Sequence, residues 1–208
     1  MKMRSGLFHL LGVIILGVFG VILSGCGTSP ATRFYLLSSI EVPDSERKPL
    51  TDEPCFSIGI GPINIPDYLD QSRIVIREAP NEVTLGEFDH WAEHLNDNFT
   101  RVLAKNLSIL LCTKTVVVFP WRGVVPIDYR IEMDLLRLDG NLGGNVSLEA
   151  WWIVFRGDGK KMLLAKKSIL KEAVGGSDYK SLVSAESRAL GQLSREIAEA
   201  IKTLPKEN

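Results

Sequence analysis

Histidine and cysteine are scarce in this 208-residue chain, with three of each. His9 falls inside an apolar N-terminal run, so only His90 and His94 remain beyond it as nitrogen ligands. No Cys-x-x-Cys pair occurs, which excludes a thioredoxin-like redox motif. Charge is nearly balanced, with 24 Lys and Arg against 25 Asp and Glu. Without a basic excess there is no electrostatic footprint for nucleic acid. No G-x-S-x-G nucleophile elbow is present. Gly59-Ile60-Gly61-Pro62 runs on into strand-like residues, so it is not a dinucleotide loop. No internal repeat is visible. After Leu7–Leu23, no second apolar run reaches the ~17 residues needed to cross a bilayer.

What is present begins at the N-terminus. Lys2 and Arg4 precede the apolar run, and Ser24, Gly25 and Cys26 come directly after it. A cationic start, an apolar centre and a small-residue end are the layout of an export signal. A signal-anchor helix is the competing reading, at the lower length limit for a span. Leu23-Ser24-Gly25-Cys26 resembles the lipobox of bacterial lipoproteins. That resemblance implies a diacylglyceryl thioether on Cys26, cleavage just before it, and acylation of the new amine. Each buried acyl methylene contributes about 0.8 kcal/mol, so several chains on one residue anchor firmly. The same resemblance implies that an Asp in place of Gly27 would favour retention in the inner membrane, so Gly27 points to the outer membrane. The expected organisation is a signal peptide over 1–25, a lipidated tether over 26–32 and a single domain over 33–208. Lys2 and Arg4 are the only charges in the first 25 residues, so the chain beyond the leader is net acidic.

The rest alternates between periods of two and of 3.6. Strands are expected over Arg33–Ser38, over Cys55–Pro66 with Phe56, Ile58 and Ile60 on one face, and over residues 114–120. Pro62 and Pro66 suggest an edge or a bend. Ser72–Glu78 and Glu82–Leu85 read as a hairpin around Ala79-Pro80-Asn81. Phe88, Trp91, Leu95, Phe99, Val102, Leu103, Leu107 and Leu110 predict a helix over Gly86–Leu111. Three longer strands come next, at Asp128–Leu135, Val146–Phe155 and Met162–Glu172, joined by Gly-rich turns. Ser177–Leu204 predicts a second amphipathic helix capped by Ser177 or Asp178. The pattern implies an α/β two-layer sandwich: a mixed β-sheet with two long helices packed on one face. Cys55 and Cys112 each open a predicted strand. On adjacent parallel strands they could form a disulfide; the alternative is two small buried hydrophobes. Asn98-Phe99-Thr100 and Asn106-Leu107-Ser108 match the glycosylation pattern but lie within the predicted helix, where they are helix sequence.

One constellation could carry chemistry. His90-Trp91-Ala92-Glu93-His94 matches H-x-x-E-H, a zinc-hydrolase motif in which two histidines on one helical turn hold the ion and a glutamate activates water. On the predicted helix, however, both histidines lie opposite the buried stripe, and no further histidine supplies a third ligand. Zinc hydrolysis is therefore the weakest reading, and no metal or cofactor is expected.

Several stretches in order resemble the ABC-type transport auxiliary lipoproteins. They are Pro66-Asp67-Tyr68-Leu69, Ile74-Val75, Trp91-Ala92-Glu93-His94-Leu95, Asn106-Leu107, Gly140, Gly144-x-Val146-x-Leu148-x-Ala150-x-Trp152, and Ile197-Ala198 with Leu204-Pro205. The resemblance implies a non-enzymatic accessory subunit on the periplasmic side of the outer membrane. Its implied partners are a mammalian-cell-entry (MCE) domain protein anchored in the inner membrane and, in a homo-oligomeric ring, further copies of itself. The implied process is lipid movement between the membranes. A different envelope partner, such as a cell-wall synthesis enzyme, is the alternative. Tyr68 and Leu69 in an irregular loop are candidate partner anchors; the competing placement is in the domain's own core. Trp151 and Trp152 must face opposite sides of a strand. Trp151 is the third candidate anchor.

Overall fold

The computed structural model describes residues 30–41, 56–111, 113, 115–121 and 125–204. The leader, Cys26, Cys55 and Cys112 lie outside the described residues, so the lipidation and disulfide expectations are not addressed by it. The chain divides into Met1–Ala31 and Thr32–Asn208, and the strands and helices of the described residues all lie in the second unit.

Among the described residues, eight strands and two helices run in the order β1 (Arg33–Tyr35), β2 (Ser57–Asn64), β3 (Arg73–Ala79), β4 (Glu82–Trp91), α1 (Leu95–Leu110), β5 (Thr115–Val118), β6 (Tyr129–Gly140), β7 (Asn145–Arg156), β8 (Met162–Ala173) and α2 (Tyr179–Thr203). The strands form one mixed sheet, ordered β1-β4-β3-β6-β2-β5, with β7 on β6 and β8 on β7. β6 organises it. β2 lies parallel to its first half, Ile76 of β3 meets Gly140 at its far end, and β7 runs antiparallel along its other side.

Alternation decides which face is covered. Ile131, Met133 and Leu135 of β6 and Leu148, Ala150, Trp152 and Val154 of β7 are at most 3% exposed. Against them pack Phe99, Leu103 and Leu107 of α1 and Leu190, Leu193 and Ile197 of α2, all fully buried. The result is the expected two-layer sandwich, with both helices on one face of an open sheet. Asp178 caps α2 by accepting the Ser181 N–H at 2.7 Å. The β6–β7 turn places Gly143 at φ 73°, a left-handed conformation that favours glycine.

Two expectations need correction. The helix does not begin at Gly86: β4 runs to Trp91 and α1 starts at Leu95. Tertiary pairing overrides the local pattern. Arg33–Tyr35 pairs in parallel with Asp89–Trp91, and buried Asp89 accepts Tyr35 Oη–H at 2.7 Å and Arg33 Nη2–H at 3.1 Å. The steps from Phe88 to Trp91 to Leu95 only mimic a helical stripe. Trp91 is nonetheless core, at 6% exposed. β2 is also not an edge strand, because β5 and β6 flank it. Pro62 marks a bend: Gly61 has φ 106°, and the register against β6 shifts between Ile60 and Ile63.

Candidate functional site

Asparagine is out of place on a helix's buried stripe, yet Asn98 and Asn106 of α1 are fully buried. Buried amides must find partners. Asn98 Oδ1 accepts the Leu37 N–H at 2.7 Å, and Asn106 Oδ1 accepts the Ile40 N–H at 2.9 Å. Between them Ser187 Oγ of α2 accepts the Ser38 N–H at 3.1 Å. Residues 37–40 thus form a strap laid over both helices. The spacing fits: eight helical residues rise about 12 Å, and three extended residues span about 10 Å. Each amide is held in one orientation. Asn98 Nδ2 donates to Glu93 Oε1 at 2.7 Å, and Asn106 Nδ2 donates to Ser194 Oγ at 3.0 Å. Gly191 leaves room for the strap, since a Cβ there would come within 3.0 Å of Ile40 Cγ2. The strap is the continuation of the segment that leads back toward Cys26.

The same bonds redefine the H-x-x-E-H stretch. His90 is on β4, Glu93 lies in the connection and His94 is the N-cap residue of α1, so the motif does not occupy one helical turn. The Phe34 and His90 rings meet edge-on at 6.0 Å. Glu93 accepts from Asn98 and from Arg101. Its carboxylate positions the strap's amide. Among the described residues, no cluster of three His, Cys, Asp or Glu side chains is placed to hold a metal.

The Tyr68–Leu69 loop is pinned down. Leu69 is 1% exposed, within the core and off the surface. Half-buried Tyr68 donates its hydroxyl to Asp139 Oδ2 at 2.9 Å. Asp139, at 0% exposed, also accepts Arg77 Nε at 2.8 Å, Arg77 Nη2 at 2.8 Å and Arg137 Nε at 2.7 Å. Burial pushes the Asp139 carboxyl up. The hydrogen bonds from Arg77, Arg137 and Tyr68 outweigh this and hold it below the usual carboxylate range. Burial, with Asp139's charge beside it, pushes Tyr68 up to about 12. Sequence reasoning missed Arg77 and Asp139, because their pairing spans 62 positions.

The two adjacent tryptophans separate as expected. Trp152 is fully buried, and its indole N–H donates to Ser168 Oγ at 2.9 Å. Trp151 is 42% exposed on the open sheet face, its Cα paired with those of Asp134 and Lys167. Trp151, Ile153, Pro62, Asn64 and Asp134 line a depression of about 130 Å³. That is below the ~300 Å³ of a small-molecule pocket.

The strap joins the segment that follows the export-type leader to a domain with an open sheet face. The family model for the ABC-type transport auxiliary lipoprotein component matches residues 35–198. The chain belongs to that family. It is accordingly an accessory lipoprotein, anchored to a membrane of the bacterial envelope. No curated protein sequence matches the chain. Among solved structures, a Xanthomonas campestris protein is similar at TM-score 0.65 and 14% identity, covering 82% of this chain and 94% of its own. A second, described as an uncharacterized protein, is similar at TM-score 0.65 and 18% identity, covering 83% of this chain and 99% of its own. At these identities the likeness establishes the fold of this auxiliary lipoprotein.

Proposed function

We propose that this auxiliary lipoprotein is a non-enzymatic subunit of an intermembrane lipid-transport system, moored by Cys26 to the periplasmic face of the outer membrane. Its partner is an inner-membrane-anchored protein with MCE domains. The stretches from Pro66 to Pro205 resemble paraquat-inducible protein C, a member of such a system. The observation that carries the reading is the family match over residues 35–198, joined to a lipobox-like leader. The fold is consistent with it. Glu93, the only acid in the hydrolase-like motif, is engaged in positioning Asn98. A ring of copies fits a sheet in which, among the described residues, β5 and β8 each pair on one side only. Trp151 is the partner-facing side chain of the three candidate anchors, because Leu69 is in the core and Tyr68 is tied to Asp139.

Photo-crosslinking in cells from position 151 tests this. The expected adducts are the MCE-domain protein or a second copy of this chain. If adducts form only with an unrelated envelope protein, such as a cell-wall synthesis enzyme, the lipid-transport assignment fails.

A further inference from the structure

β1 is an edge strand, and its exposure alternates sharply. Phe34 is 65% exposed and Leu36 is 47% exposed, whereas Leu37 is 3% exposed. An aromatic and an aliphatic side chain therefore project from the same side of the first described stretch of the domain. Among the aromatic rings of the described residues, Phe34 meets only the edge of His90.

The position of Cys26 indicates what covers them. Phe34 is eight residue steps beyond Cys26, so the chain between them reaches at most about 29 Å even when fully extended. A domain of this length has a radius of gyration near 16 Å and hence a diameter of roughly 40 Å. The tether is thus shorter than the domain is wide. The strap bonds to Asn98, Ser187 and Asn106 prevent the tether from lengthening by peeling residues 37–40 off the helices. An acylated Cys26 consequently holds the β1 edge near the bilayer, while β8, at the opposite edge of the sheet, is directed away. Phenylalanine and leucine are the residue types that sink into the boundary between headgroups and acyl chains.

We infer that Phe34 and Leu36 form a membrane-contact patch that seats the β1 edge in the bilayer surface and fixes the domain's orientation on its anchor. The inference rests on the proposed anchoring through Cys26. A single lipid tether would let the domain swivel. A second, apolar point of contact limits the swivel and directs the open sheet face and β8 toward the periplasm.

The test uses the full-length lipidated protein reconstituted in vesicles of phosphatidylethanolamine and phosphatidylglycerol. Phe34 and, separately, Ile169 of β8, itself 59% exposed, are replaced by p-benzoylphenylalanine. After irradiation, mass spectrometry reads the peptide carrying each probe, and intact mass on the same sample reads the acyl chains on Cys26. The expected result is a phospholipid adduct at position 34 and none at 169. An acylated protein with no lipid adduct at 34, with equal adducts at both positions, or with a second copy of the chain captured at 34 overturns the patch and leaves the anchor standing. A protein without acyl chains removes both.

Discussion

Asn98 Oδ1 accepts the backbone N–H of Leu37 across 61 positions of sequence, at 2.7 Å and out of contact with solvent. That bond joins the segment arriving from the anchor to the helix at the centre of the fold. Asn98→Ala leaves the Leu37 N–H buried without its acceptor, and Asn106→Ala removes the acceptor of the half-buried Ile40 N–H. Each is expected to cost about 1–3 kcal/mol in urea denaturation. Each should also speed hydrogen exchange at residues 37–40 more than in the centre of the sheet. Unchanged exchange there would show that the strap is held by other means.

The Asp139 cluster makes stability depend on pH at the acid end. Its carboxyl lies below the ordinary carboxylate range in the folded chain, so its contribution is fully present above the unfolded value near 3.8 and is lost as pH falls through the folded value. Asp139→Asn is expected to cost about 3 kcal/mol at neutral pH, the low end for removing one member of a buried pair, because Arg137 keeps some contact with water. The difference between variant and parent should shrink below about pH 4. Denaturation midpoints across pH 2–7 would measure it.

Glu186 of α2 acts in the opposite direction. It is 1% exposed, and its Oε2 has no hydrogen-bond partner among the described residues. Burial, then the nearby charge of Asp139, pushes its pKa well above the usual value. A raised acid contributes most below its unfolded pKa, and that contribution is lost as pH rises through the folded value. Glu186→Gln should therefore stabilise the protein at pH 7–8, with the gain vanishing near pH 4. Thermal melts of both proteins at the two pH values check the sign.

Trp151 and Trp152 put an exposed and a fully buried ring on neighbouring residues. Trp152→Ala empties a fully buried site and should cost about 3–5 kcal/mol. Trp151→Ala should shift stability by no more than about 0.5 kcal/mol, as surface changes do, yet reduce recovery of the partner complex. Urea midpoints and co-purification yields read the two effects separately.

Much of the sheet was legible because alternation is local. The strand positions of Tyr129, Ile131, Met133 and Leu135, and the separation of Trp151 from Trp152, come from period-two patterning alone. The start of α1 was not legible. Phe88, Trp91 and Leu95 carry helical spacing, but the pairing of Asp89–Trp91 with Arg33–Tyr35 is set by contacts more than fifty residues away. The strap did leave a signal. Asn98 and Asn106 fall on the apolar stripe beside Phe99 and Leu107, where a polar residue needs a partner. Reading them as incidental tripeptides hid that requirement. Arg77 with Asp139 left no comparable mark: Arg77 alternates within its strand as an ordinary surface charge, and Asp139 falls beyond the expected strand Asp128–Leu135, in a stretch that reads as the following turn.

Acylation of Cys26 is the event on which the proposed role depends most. Cells grown with a labelled fatty acid should yield a labelled protein whose N-terminal peptide, by mass spectrometry, begins at an acylated Cys26. Cys26→Ser should remain an unlabelled precursor. A mature N-terminus that retains residues 1–25, or a Cys26→Ser protein that still takes up label, would contradict that role.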